Sequence, residues 1–130
     1  MLEVEVIGPV TPGAPPVAEV ERLLALAFAS AGIESGHVAV EYVGEQRITE
    51  LNGEHRGKPQ PTDVLSFPVD ETDEIDLPDE LRELGDIVIC PDHTIDLREA
   101  IVHGALHLVG MDHEVDDGQM LAVQAEILSW

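Results

Sequence analysis

The 130-residue chain has one cysteine, Cys90, and only four aromatic residues, Phe28, Tyr42, Phe67 and Trp130. A single thiol closes no intramolecular disulfide, which excludes a disulfide-stapled secreted scaffold and fits a reducing cytoplasm. Cys90 itself reads as a buried strand thiol. So few aromatics exclude a surface of stacking platforms for bases or sugars. Positive charge is equally scarce: 6 Lys+Arg stand against 27 Asp+Glu, for a formal net charge of −21. That balance argues against a broad basic face for nucleic acid or anionic lipid. The longest uninterrupted apolar run, Leu23 to Ala29, is far below the ~20 residues that span a bilayer, so no membrane segment is expected. The start, Met1-Leu2-Glu3-Val4-Glu5, has neither the positive charge nor the apolar core of a signal peptide, and no export is expected. No internal repeat, linker or low-complexity tract interrupts the chain.

What is present is a foldable apolar fraction of 44%, spread along the whole length. With a length inside the usual ~100–150 residue range, this predicts one compact domain over residues 1–130. Leu2, Val4 and Val6 alternate with Glu3 and Glu5, the period of a half-buried strand. A Pro/Gly loop follows, then helical spacing from Val17 to Ala31 stopped by Gly32. Val38, Val40 and Tyr42 or Val43 predict a second strand. Gly44 then opens a short helix carrying Ile48 and Leu51 up to Asn52 and Gly53. Val64 to Val69 reads as a third strand, ended or placed at an edge by Pro68. Ile87, Val88 and Ile89 form a continuous apolar run after Gly85, as in a strand buried on both faces. Asp96 with Glu99 marks the N-terminus of a helix running to Val109 and closed by Gly110, and a last helix is expected from Val115 to Leu128. The sum is an α+β domain with a mixed sheet of about four strands and helices packed on it. Between Asp70 and Asp86 lie nine acidic residues and one Arg, a solvated loop without the regular spacing of a calcium site.

The chemistry concentrates between His103 and His113, which reads HGALHLVGMDH. Positions i and i+4 of a helix share a face, so His103 and His107 can aim their imidazoles at one point. A left-handed turn at Gly110 lets His113 swing back toward it. Three neutral imidazoles leave a bound Zn²⁺ its full charge and an open fourth position, the arrangement that lowers a bound water's pKa to about 7. The metal site is therefore expected on a central, His-bearing helix. His37, His55 and His93 read as ordinary surface or packing residues. The His spacing equals that of metzincin proteases, but Gly104 stands where those enzymes carry their general-base Glu. Without that carboxylate nothing takes the proton of the attacking water, which ranks a zinc peptidase or amidase below another hydrolase.

Three blocks, NGEHRGKPQPTDVLSFP from Asn52 to Pro68, LGDIVIC from Leu84 to Cys90, and the His block, resemble the YbeY family of bacterial endoribonucleases that mature ribosomal RNA. Together with the order of strands and helices, the resemblance covers most of the chain. It implies a single-strand-specific, metal-dependent endoribonuclease acting in maturation of the small-subunit ribosomal RNA three-prime end and in ribosome quality control. It implies one zinc per chain on His103, His107 and His113. Its partners would be single-stranded and ribosomal RNA, with small-subunit components, and neither DNA nor a membrane. The family's functional arginine falls on Arg56, whose guanidinium fork suits the charge that builds on phosphate oxygens. From the residues alone, Arg56 reads equally as a surface ion pair with Glu54 or Asp63. Asp112 can orient His113 or cap the next helix; Asp63 can hold Arg56 or satisfy backbone donors; Glu99 reads as helix capping.

Two departures from the family pattern bear on the site. Only twelve residues separate Cys90 from His103, where relatives carry a longer helical excursion, and Met111 stands where a tyrosine is common. The competing reading is a ribosome-associated binding module with a structural zinc; Cys90 is its candidate fourth ligand. The charge also maps where RNA can touch, since from His55 to Val69 Arg56 and Lys58 face Asp63 alone, a local net of +1.

Overall fold

The computed structural model describes residues 2–8, 13–68, 83–110 and 118–129. In chain order the elements are β1 (Leu2–Ile7), α1 (Val17–Ala29), β2 (Gly36–Tyr42), α2 (Glu45–Arg56), β3 (Val64–Pro68), β4 (Glu83–Ile89), α3 (Leu97–Leu108) and α4 (Gln119–Leu128), with a 3-10 turn at Pro91–His93. The four strands form one mixed sheet in the order β1-β2-β4-β3. β1 runs parallel to β2 and β2 parallel to β4, with Val4 opposite Val38 and Val40 opposite Ile87. β3 is antiparallel to β4, with Leu65 opposite Val88. The α+β expectation therefore holds, and Pro68 ends an edge strand, where its missing N–H costs no ladder bond.

Two apolar clusters lie on opposite faces of the sheet, because successive side chains of a strand alternate. One joins Val38, Val40, Ile87 and Ile89 to Leu23, Leu24 and Phe28 of α1, Ile101, Ala105 and Leu106 of α3, and Met120 and Ile127 of α4. The other joins Leu65, Val88 and Cys90 to Ile48 and Leu51 of α2. β4 serves both, which is why its Ile87-Val88-Ile89 run is apolar without a break. Across the first face Arg98 of α3 reaches Glu19 of α1 at 3.2 Å, and Arg22 shares that carboxylate.

Three boundaries differ from the sequence reading by three residues or more. α2 continues past Gly53 to Arg56 and ends at Gly57. Gly53 is no stop; a Cβ there would stand 3.3 Å from Pro59, so the position serves close packing. β4 begins at Glu83, and its ladder with β2 slips so that His37 pairs with Glu83 and Val38 with Gly85. Gly85 absorbs that bulge at φ 131°, a conformation costly for other residues. α4 begins at Gln119, because Gly118 before it is left-handed. Val69 and the acidic residues 70–82, together with residues 111–117, lie outside the described residues.

Candidate metal centre

α3 is set by its own sequence. The Asp96 carboxylate accepts hydrogen bonds from the backbone N–H of Arg98 at 2.9 Å and of Glu99 at 3.3 Å, satisfying donors that a helix start leaves orphaned. Glu99 therefore sits in a capped first turn, as its spacing suggested. Ala100, Ile101, Ala105 and Leu106 bury the core side. Gly104 faces the sheet: an added Cβ would lie 2.6 Å from Ile87 Cγ2 and 3.2 Å from both Ser66 Oγ and Val64 Cγ2. No glutamate fits there, so the glycine between the two histidines is a packing requirement of the helix on the sheet.

His103 and His107, one turn apart, come together as their spacing implies. Their Nε2 atoms are 3.1 Å apart and their rings meet edge to face, with centroids 4.7 Å apart. Two Nε2–H groups cannot point at each other at that distance, so at least one nitrogen presents a bare lone pair. The opposite nitrogen of His103, Nδ1, lies 2.8 Å from Gln124 Oε1 on α4. Two imidazole nitrogens converging on one point, one ring braced from behind, fit a metal ion. Past the helix, Gly110 has φ 93°, the left-handed turn expected of it. His113, Met111 and Asp112 lie outside the described residues. Among the described residues no group of three or more His, Cys, Asp or Glu gathers to hold a metal.

Cys90 is not such a partner. It is fully buried on the α2 side of the sheet, away from the α3 histidines, and burial raises the pKa of its thiol. The described residues thus offer no fourth ligand from cysteine, against the structural-zinc reading.

Arg56 is the last residue of α2, whose Ile48 and Leu51 pack on the opposite face of the sheet from α3, and it is exposed to solvent. Neither suggested ion pair forms. Asp63 instead accepts from the Val64 backbone N–H at 2.8 Å, the backbone-satisfying role weighed for it. The loop after Arg56 is tied back to the helix: Asn52 donates its side-chain amide to the Gln60 carbonyl at 2.9 Å, and the Lys58 N–H reaches the Asn52 carbonyl at 3.3 Å. His55 packs edge-on against Phe67 of β3, with ring centroids 4.7 Å apart. His93 lies 3.7 Å from Glu45. His37 sits between Glu83 at 2.9 Å and Glu5 at 3.4 Å, bridging three strands.

A family model described as Endoribonuclease YbeY matches residues 17–130. The chain belongs to the YbeY family. This YbeY-family chain is 39% identical over 127 residues to Endoribonuclease YbeY of Macrococcus caseolyticus, an alignment covering 85% of the chain and 82% of that protein. It is 40% identical over 122 residues to Endoribonuclease YbeY of Symbiobacterium thermophilum, covering 81% and 78%. The solution structure of TM1509 from Thermotoga maritima resembles it with a TM-score of 0.54 at 28% identity, over 97% of this chain and 87% of that one.

The sequence reading missed Gln124 and Ser66. Met120, Gln124 and Ile127 are the buried residues of α4, so Gln124 is a polar residue on an otherwise apolar stripe, and that misfit was the available signal. Ser66 gave none, since its hydroxyl partner is a backbone carbonyl distant in sequence.

Proposed function

We infer that this YbeY-family protein is an endoribonuclease of ribosomal RNA maturation, as its relatives' shared name and the match over residues 17–130 support. Its proposed cofactor is one zinc ion per chain, held by His103, His107 and His113. The observation that carries this reading is the 3.1 Å approach of the His103 and His107 Nε2 atoms. Zinc held by these residues would supply a Lewis acid for phosphate chemistry. The substrate is single-stranded RNA at the three-prime end of small-subunit ribosomal RNA. Quality control of ribosomes in the cytoplasm, beside small-subunit components, is the wider role.

The chain's own residues divide the work across β3. This strand is the last of the described sheet, with α3 packed on one face and α2 on the other. An RNA strand bent over that edge meets the histidine pair on one side and Arg56 with Lys58 on the other. Arg56 offers its guanidinium fork to phosphate oxygens as negative charge builds on them. The peptidase reading loses further ground, because position 104 is packed against Ile87 and admits no general base.

The test is cleavage of single-stranded RNA by zinc-replete protein, chelated protein, His113→Ala and Arg56→Ala. The first is expected to cut and the other three to lose most of that activity. Equal cleavage by all four overturns the site. A zinc-loaded protein that cuts nothing favours the binding-module reading.

A further inference from the structure

We propose that Gln124 of α4 is the positioning residue that sets the tautomer of His103, and so makes its Nε2 a lone-pair donor before any metal arrives. The inference rests on the zinc reading above and deepens it. Gln124 is 7% exposed, and burying an amide among Met120 and Ile127 is unfavourable without a compensating hydrogen bond. Its Oε1 meets His103 Nδ1 at 2.8 Å. A carbonyl oxygen only accepts, so Nδ1 must carry the proton; a neutral imidazole has one, so Nε2 is left bare. That bare nitrogen is the one facing His107 Nε2 at 3.1 Å.

The brace comes from outside the ligand helix. α4 packs on α3 within the cluster that includes Met120, Ile127, Ile101 and Ala105, so the ring of His103 is oriented by the fit of one helix on another. Gln124 contributes no formal charge. An amide behind His103 would leave a bound ion its full positive charge for a phosphate, whereas a carboxylate at this place would soften it. In a protein of net charge −21, a neutral brace behind the ligand keeps the anionic character of the chain away from the phosphate.

The test uses the full chain with Gln124→Leu, which keeps the stripe apolar but removes the acceptor, and Gln124→Glu, which keeps an acceptor oxygen. The tautomer of His103 in metal-free protein is read from imidazole ¹⁵N shifts, zinc affinity by competition with a chromophoric chelator, and folding by thermal melting. Wild type is expected to hold the proton on Nδ1 of His103. Gln124→Leu should lose that preference and bind zinc about 10–100-fold more weakly, while melting as a folded protein. Gln124→Glu should restore both the tautomer and tight binding. A wild-type His103 protonated on Nε2, or a Gln124→Leu protein with unchanged tautomer and zinc affinity, overturns the proposal while the zinc site stands. A wild type that binds no zinc overturns both.

Discussion

The Ser66 hydroxyl donates to the backbone carbonyl of Gly104 over 2.8 Å, pinning edge strand β3 to the middle of the helix that carries both histidines. The next residue of β3, Phe67, packs against His55 on the other face, beside Arg56. One short strand thus fixes the histidine helix on one side and the arginine helix on the other, so a displacement of β3 is felt by both.

Gly104→Ala should destabilise the fold by about 1–3 kcal/mol, the usual cost of forcing a methyl group into a filled interior. The added Cβ meets the branched side chain of Ile87 at 2.6 Å. Ser66→Ala should cost less, about 0.5–1.5 kcal/mol for one lost hydrogen bond. Urea unfolding measures both, and an unchanged midpoint for Gly104→Ala would contradict the close approach of α3 to the sheet.

Arg56→Ala should leave stability within about 0.5 kcal/mol, since the residue is exposed, while lowering RNA cleavage about a hundredfold. Arg56→Lys should recover only part of that loss, because an ammonium lacks the planar fork. Full recovery with Lys would mean that charge alone matters. A large fall in melting temperature with Ala would assign Arg56 to the fold.

His37 gives a pH signature. Its pKa is raised, chiefly by the hydrogen bond to Glu83, with the charges of Glu83, Glu5 and Glu3 adding to it against some desolvation. A group whose pKa is raised on folding contributes stability below its unfolded value, about 6.5 for histidine, and loses it as pH rises through the folded one. His37→Gln should therefore lower the melting temperature more at pH 5.5 than at pH 9. Equal losses at both would show that the ring packs there without its charge.

Moderate salt or Mg²⁺ should increase cleavage before higher salt decreases it. Screening first relieves repulsion between RNA and a chain of net charge −21, then weakens the contacts proposed at Arg56 and Lys58. Initial rates across a salt series decide it, and a steady fall from the lowest concentration would refute this account of the charge.

Periodicity served well where one element answers to one partner. The Leu2-Val4-Val6 alternation, the Ile87-Val88-Ile89 run and the Asp96 cap all reflect local chemistry, and the structure has each of them. The end of α2 was misread because Gly53 marks contact with Pro59, a tertiary fact written in the same letter as a helix stop. The start of β4 was hidden because Glu83 and Leu84 continue an acidic stretch, while their pairing depends on a bulge against β2. The approach of His103 to His107 followed from helix geometry. The placement of Arg56 across the sheet did not, since spacing along a chain does not say which face a helix will cover.

The sheet order also governs when the protein becomes competent during its own synthesis. β2 emerges with one edge paired to β1, but its other edge waits for β4, since Val38 pairs with Gly85. β3 leaves the ribosome before β4 and has no described strand to join until then. α3 has no finished surface to dock on until both have arrived, and α4, which braces His103, follows later still. The contact between His103 and Gln124 therefore forms only after the four described strands and α3 have all been made.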